Sequence, residues 1–230
     1  MKKRVLTFGT AIIFALGVFS LTSCDDGFAG VNTDDASSGS PVNEAVTTDT
    51  STATCISGLP LEELSDSEVA GITYMREEEK VARDVYTYLY GKWGINTFNN
   101  ISKAEQAHMD AIMLLIDRYD LTNPVGDNGY GVFTNPDLQA LYDKLIADGS
   151  VSEIEALKVG ALIEEVDIND LDEELERYID NQDITKVYNN LRAGSEGHLR
   201  AFVWNLKVRG VEYAPVVLSG EEYDEIINND

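Results

Sequence analysis

Apolar residues recur every three or four positions through most of the chain after residue 58, which is the periodicity of amphipathic α-helices. The sequence Ser65-Asp66-Ser67-Glu68 has the form of a capping box, and Asn135-Pro136 places a cap residue before a proline suited to a first helical turn. With Gly94 and Gly210 as stop signals, the pattern predicts five helices. Their approximate ranges are 65–90, 97–119, 135–149, 152–179 and 183–209.

Four of these helices are long and one is short, which predicts an all-α fold. The expected architecture is a four-helix bundle, with the additional short helix in the crossover between the second and third long helices. The domain is expected to span 58–218 and to be followed by an acidic C-terminal tail at 219–230. A domain of this size buries a core sufficient for independent stability.

The first residues have the features of a lipoprotein signal peptide. Lys2, Lys3 and Arg4 precede a short apolar run that ends in Leu21-Thr22-Ser23-Cys24. That tetrapeptide resembles the bacterial lipobox, which implies cleavage after residue 23 and lipidation of Cys24. Residues 24–57 are rich in Ser, Thr, Asp and Gly and contain almost no large apolar side chain, so they are expected to form a disordered acidic tether.

Charge narrows the range of partners. The chain carries 17 Lys and Arg against 41 Asp and Glu, a net charge of −24, which argues against nucleic acid as a partner. An acidic surface is repelled by anionic headgroups, so membrane attachment is expected through the lipid anchor alone. The predicted location is the bacterial cell envelope, with the domain outside the cytoplasm, either periplasmic or on the surface.

Polar residues interrupt the apolar seams of all four long helices. In the second helix, Glu105 and His108 lie within a row of apolar residues that are spaced alternately four and three positions apart. On the seams of the first, fourth and fifth helices lie Glu79, Glu164 and His198, respectively. A lone buried carboxylate is costly. Since the chain has only two His and two Cys, a shared metal site would have to be rich in carboxylates.

Several blocks of sequence resemble the DUF2202 family of the ferritin-like, di-iron carboxylate superfamily. These blocks are Tyr74-Met-Arg-Glu-Glu-Glu-Lys-Val-Ala-Arg-Asp-Val-Tyr86, Glu105-x-x-His108-Met-Asp, Gly131-Val-Phe-Thr-Asn-Pro-Asp-Leu-Gln-Ala-Leu-Tyr142, Ile163-Glu-Glu-Val-Asp-Ile-Asn-Asp-Leu171 and His198-Leu-Arg-Ala-Phe202. The resemblance covers about 59–217. It implies a ferritin-like fold and a metal site built from Glu79, Glu105, His108, Glu164 and His198, with Asp167 as an optional further ligand.

Two choices among neighbouring carboxylates follow. Glu79 is preferred because Tyr86 lies seven residues later on the same face, as the resemblance implies, whereas Glu77 and Glu78 are expected on a solvated face with Arg76, Lys80 and Arg83. Glu164 is preferred to Glu165 by its seam position. Glu196 points away from His198 and cannot replace a ligand three residues before it.

The superfamily pattern has a second Glu-x-x-His, but here the first of those positions is Ser195. One carboxylate is therefore missing. Iron in a dinuclear site is the preferred interpretation; Mn, Zn or a mononuclear site remain alternatives. A metal-free interpretation, in which Glu105, His108 and His198 form a buried hydrogen-bond network that fixes helix register, also stays open.

The resemblance implies a fold and a site more than a reaction, but a di-iron carboxylate site would be expected to carry out redox chemistry with O₂ or peroxide, as an oxidase or peroxidase. The chain lacks the cysteines of a rubredoxin-like site, so a separate redox partner of unknown identity would have to supply electrons. Non-catalytic iron sequestration and a metal-free helical interaction module are the alternatives. Assembly as a homodimer is a further open expectation.

Overall fold

The computed structural model describes residues 56–228 of the chain. The predicted signal peptide 1–23, the lipidation site Cys24 and all of the predicted tether except residues 56 and 57 lie outside this range. The regular secondary structure of the described part is helical, without a strand, which confirms the all-α prediction. No helix of this part is long and apolar enough to span a membrane.

Six helices of nine or more residues lie between residues 56 and 228, and the first five correspond to the predicted ones. They are α1 (Asp66–Trp93), α2 (Asn96–Arg118), α3 (Pro136–Gly149), α4 (Glu153–Arg177), α5 (Gln182–Val208) and α6 (Gly220–Asn228). The start of α1 is set by a capping box between Ser65 and Glu68, and its end by Gly94 in the left-handed conformation at φ 68°. Local signals therefore determine where α1 begins and ends.

The apolar core has two parts, and their membership shows the directions of the helices. The first cluster includes Ile72 of α1, Ile112 of α2, Leu171 of α4 and Leu191 of α5. The second cluster includes Val85 of α1, Phe98 of α2, Leu157 of α4 and Phe202 of α5. The chain passes from the first to the second cluster along α1 and α5, and in the opposite sense along α2 and α4. Since α2 and α4 run in the same direction, a crossover must join them, and it contains α3.

The packed region extends beyond both predicted domain boundaries. Tyr223 and Ile226 of α6 are buried in the second cluster, within the segment expected to be an acidic tail. Ile56, expected at the end of the tether, is 3% exposed and belongs to the first cluster. Short segments such as α6 carry too few apolar residues to show helical periodicity clearly.

The sequence predicts a solvated face made of Glu77 and Glu78 with Arg76, Lys80 and Arg83, and this is wrong for four of the five residues. Arg76, Glu77, Glu78 and Lys80 are all buried, with exposures of 7% or less. The crossover covers Glu77 and Lys80. Arg76 instead lies against α2, where it donates to the Met109 carbonyl oxygen, and Glu78 faces the carboxylates of α4. The backbone N–H groups of residues 134 and 135 donate to the Glu77 carboxylate at 2.5 and 2.9 Å. Charged residues on one helix face thus satisfy the backbone of a segment more than fifty residues away.

Lys80 binds the same crossover through a second set of hydrogen bonds. Its ammonium group lies 2.6 Å from Asp84 Oδ2 and donates to the carbonyl oxygens of Gly129 and Val132 at 2.9 and 3.2 Å. Asp84 in turn accepts from the N–H of Gly131 at 2.8 Å. This buried ion pair is fully hydrogen-bonded, which is the condition under which such a pair is tolerated in a core.

Candidate metal centre

Five ionisable side chains meet between the two apolar clusters. Each of the four long helices contributes: Glu79 comes from α1, Glu105 and His108 from α2, Glu164 from α4 and His198 from α5. None is more than 2% exposed. The i, i+3 spacing on α2 directs Glu105 and His108 to the same side of that helix, as the Glu-x-x-His pattern predicts.

Glu105 lies between the two histidines. Its Oε2 is 2.9 Å from His108 Nδ1 and its Oε1 is 2.9 Å from His198 Nδ1. The two imidazole rings are stacked, with centroids 5.4 Å apart and planes inclined by 28°. Each oxygen of this carboxylate is therefore directed at a different imidazole, as expected of a group that bridges two adjacent positions.

The other two carboxylates complete the arrangement on either side. Glu79 Oε2 is 3.2 Å from His108 Nδ1, and Glu164 Oε2 is 3.4 Å from His198 Nδ1. Two groups of ligand atoms result, each within 4.8 Å: Glu79, Glu105 and His108 form one, and Glu105, Glu164 and His198 form the other. Both groups could hold a metal ion, and they share Glu105.

The hydrogen bonding fits metal ligands better than a closed polar network. Glu79 Oε1 is buried and accepts no hydrogen bond. Glu105 Oε1 and His198 Nδ1 lie 2.9 Å apart, yet they are not aligned as donor and acceptor. Oxygen and nitrogen atoms that lie close together without forming a hydrogen bond are arranged as they would be if both coordinated the same metal ion. In a purely structural network, a buried carboxylate oxygen without a hydrogen-bond partner would cost free energy.

Charge at the metal-free centre is shared between Glu105 and the histidines. Burial alone would lower the pKa of both imidazoles, but Glu79 and Glu105 raise the pKa of His108 well above its ordinary value. Burial also lowers the pKa of His198, and Glu105 and Glu164 outweigh this to raise it to about 10. Burial would raise the pKa of Glu105, yet His198 and His108 hold it below its usual range. At neutral pH one carboxylate thus separates two imidazolium groups.

The outer carboxyl groups behave differently. Burial raises the pKa of Glu79 well above its ordinary value, and the charge of Asp167 adds to this effect. Burial and the nearby Glu105 raise the pKa of Glu164 to about 7. Both shifts favour the protonated carboxyl groups, and a cation bound by Glu79 and Glu164 would displace their protons.

Ser195 and Asp167 lie beside the centre but outside both ligand groups. Ser195 Oγ donates to Asp167 Oδ2 at 2.5 Å, and Asp167 Oδ1 is buried without a hydrogen bond. The serine that replaces the expected glutamate therefore orients a carboxylate from α4. Burial raises the pKa of Asp167 to about 6 although the Ser195 hydroxyl acts in the opposite direction. Asp167 is a neighbour of the two ligand groups rather than a member of either.

Tyr86 fixes the position of Glu164. Its hydroxyl donates to Glu164 Oε1 at 2.5 Å, and its ring packs against Phe98 and Phe202 at centroid distances of 6.0 and 5.2 Å. Burial raises the pKa of the Tyr86 hydroxyl well above its ordinary value, and Glu164 adds to the effect. The tyrosine is thus a neutral donor that holds one outer carboxylate against an apolar wall.

Sequence reasoning missed Gly194, which allows α5 to pass close to His108. A Cβ atom at position 194 would lie 2.6 Å from His108 Nε2 and 2.9 Å from its Cε1. Real Cβ atoms do not approach so closely, so any side chain here must displace the imidazole. Glycine inside a helix gives no periodic signal of this role, since its cost of about 1 kcal/mol relative to alanine is compatible with many contexts.

Replacing Gly194 with alanine is expected to disrupt the ligand group that contains His108, because the new methyl group occupies the space of the ring. Metal binding to that group should be lost while the group containing His198 retains its ion. Gly197→Ala on the same helix is the matched control, since its nearest neighbour is Arg200 Nη2 at 3.8 Å. Metal analysis of both variants tests this, and equal metal content in the two would contradict it.

Residues 68–230 match the family model described as an uncharacterized protein domain, DUF2202. The chain belongs to the DUF2202 family. The match extends beyond residue 217, where the resemblance noted from the sequence ended, and so includes α6. The matched region therefore includes the buried residues Tyr223 and Ile226 of α6.

Two comparisons relate this DUF2202 chain to an archaeal protein. It is 49% identical over 174 residues to the uncharacterized protein MJ0754 of Methanocaldococcus jannaschii, covering 76% of this chain and 94% of that one. It is also similar to the crystal structure of the hypothetical protein MJ0754 from Methanococcus jannaschii DSM 2661, with a TM-score of 0.73 and 48% identity over 75% of this chain and 98% of that one. The shared fold is therefore that of the helical DUF2202 domain.

Proposed function

We propose that this DUF2202 protein binds a pair of iron ions in its core and uses them for redox chemistry with O₂ or peroxide. The observation that carries the proposal is the position of Glu105, whose two oxygens each approach a different histidine within two groups of buried ligand atoms. Mixed carboxylate and imidazole ligands suit iron, and a shared carboxylate suits two ions at neighbouring positions.

The arrangement of the helices supports a ferritin-like bundle. The four long helices each supply at least one of the five side chains, and α2 and α4 run in the same direction with a crossover between them. In ferritin-like di-iron proteins, ligands likewise project inward from four helices. The additional helix α3 lies within that crossover, as expected from the sequence.

Bound iron would supply the reversible change between the ferrous and ferric states through which O₂ or peroxide is reduced. The protein would orient the side chains that bind iron and would control proton transfer next to them. Glu79 and Glu164 are the outer carboxylates, and the Tyr86 hydroxyl orients Glu164 from 2.5 Å. The apolar clusters on both sides exclude water from the centre. Asp167, with Ser195 as its donor, is placed to accept or release a proton beside the ligands.

We further propose that the protein works in the cell envelope. The lipobox-like sequence ending at Cys24 and the acidic segment after it support a lipid-anchored domain held away from the membrane by a tether. A separate redox partner would deliver electrons. The net charge of −24 favours a partner with a basic docking surface, because complementary charge speeds encounter.

Metal analysis of the full-length protein tests the proposal. After anaerobic loading with Fe(II) and removal of excess metal, we expect two iron ions per chain. Addition of peroxide with a chemical reductant should then give repeated turnover. Stoichiometric oxidation without turnover would instead support iron sequestration, and the absence of bound iron would refute the proposed function.

A further inference from the structure

A second group of carboxylates lies next to the proposed iron ligands, between α1 and α4. It consists of Glu78, Asp167 and Asp170. Glu78 and Asp167 are buried, with exposures of 7% and 6%, whereas Asp170 is half-buried. Asp167 and Asp170 follow Glu164 at intervals of three residues on α4, and Glu78 directly precedes Glu79 on α1. The group therefore extends from the centre towards the protein surface.

Glu78 lacks the partners that other buried carboxylates of this protein have. Neither of its oxygens accepts a hydrogen bond from an N–H group or a Ser, Thr or Tyr hydroxyl of the described residues, and Asp167 Oδ1 also lacks a partner. Glu77, the preceding residue, is equally buried but accepts two backbone N–H groups. A carboxylate left unsatisfied in a core costs free energy, which a sequence under selection for stability alone would remove.

The surroundings of Glu78 are acidic. The charged groups nearest to it are the carboxylates of Asp170, Asp167 and Glu79. The side chain that comes within hydrogen-bonding reach of Glu78 is that of Asp170, a second carboxyl group. Two carboxyl groups that face one another are held together either by a shared proton or by a cation.

We propose that Glu78, Asp167 and Asp170 form a transit site that receives a divalent cation at the half-buried Asp170 and passes it to the ligands at Glu79. This inference rests on the proposed function, since it concerns how metal reaches the same centre. The oxygens of Glu78 and Oδ1 of Asp167, which no N–H or hydroxyl group occupies, suit a site that binds a cation and releases it again, because weak and adaptable coordination permits onward movement.

Glu78→Gln tests the transit site, because the substitution removes the charge and keeps the size of the side chain. Co(II) is the probe: its visible absorption changes on coordination, and it does not react with O₂ on the time scale of mixing. We expect the rate of Co(II) uptake by the full-length protein, followed by stopped-flow absorption, to fall about tenfold, since acidic clefts accelerate cation entry by at least that factor. The final stoichiometry and spectrum should match those of the unmodified protein.

Glu173→Gln is the matched control, because it removes the same charge from the exposed side of α4, where Glu173 pairs with Arg177. Its uptake rate should remain unchanged, and Asp170→Asn should slow uptake as Glu78→Gln does. The thermal midpoint of metal-free Glu78→Gln should equal or exceed that of the unmodified protein, which would show that a slow uptake is not caused by misfolding.

The outcomes separate this inference from the proposed function. If the unmodified protein binds Co(II) at two ions per chain and Glu78→Gln takes it up at the same rate, the transit site is refuted and the iron centre stands. A shared proton between Glu78 and Asp170 would then account for their contact. If the unmodified protein binds no metal, both proposals fail together.

Discussion

Glu105→Gln is expected to abolish metal binding at both positions of the centre. The carboxylate belongs to both groups of ligand atoms, and its two oxygens lie 2.9 Å from His108 and from His198. A neutral amide offers a single oxygen and no charge, so neither position keeps its shared ligand. Metal content per chain, measured after Fe(II) loading, should fall from two ions to none.

Single substitutions of the outer carboxylates provide the controls. Glu79→Gln should remove the ion next to His108, and Glu164→Gln the ion next to His198, because each carboxylate belongs to one group only. Each variant should therefore retain one ion per chain. Retention of one tightly bound ion by Glu105→Gln would mean that the two groups do not share this residue and would contradict the dinuclear arrangement.

Glu105→Gln should also lower the free energy of unfolding of the metal-free protein, by an amount that depends on pH. In the folded protein the pKa of His198 is raised to about 10, and that of Glu105 is held below its usual range. The attraction between Glu105 and protonated His198 stabilises the folded protein fully below the unfolded pKa of histidine, about 6.5, and this stabilisation is lost as pH rises towards 10. At acidic pH it is lost as Glu105 becomes protonated. Denaturant unfolding of Glu105→Gln should show a deficit of about 3–5 kcal/mol near pH 6 that shrinks towards pH 10.

The positions of the five central side chains could be predicted from the sequence because helical periodicity specifies which face of a helix a residue occupies. Glu105 and His108 share the seam of α2 by their spacing alone. The ends of α1 and α3 could be predicted because their caps are formed by nearby residues, Ser65 and Asn135. These features depend on contacts between residues close in the sequence.

Periodicity does not reveal what covers a helix face from a distance. Glu77 and Lys80 look like surface residues in the sequence, yet the crossover buries them. The role of Gly194 depends on a ring from α2, 86 positions earlier in the chain. Asp167 is an optional further ligand in the sequence, and the packing places it beside both ligand groups, where it accepts a hydrogen bond from Ser195. Each of these depends on long-range packing, which single-sequence patterns do not encode.

Glu165 shows the same limitation, and its removal is expected to have a large effect on stability. It lies directly after the proposed ligand Glu164, and it is fully buried. Its carboxylate accepts the N–H groups of Val216, Val217 and Leu218 at 2.9, 2.8 and 3.0 Å, and the Tyr213 hydroxyl at 2.5 Å. One side chain thus satisfies three consecutive backbone donors of the segment that leads to α6.

Glu165→Ala is therefore expected to release this segment and α6 from the bundle, since three backbone N–H groups lose their acceptor together. Each buried donor left without a partner costs about 1–3 kcal/mol, so the loss in free energy of unfolding should reach about 3–5 kcal/mol. Amide hydrogen exchange should show rapid exchange at 213–228, with the protection of α1, α2 and α5 retained. Glu173→Ala, exposed on the same helix, should leave exchange unchanged. Undiminished protection at 216–218 in Glu165→Ala would mean that the segment is held by the packing of Tyr223 and Ile226 rather than by the carboxylate.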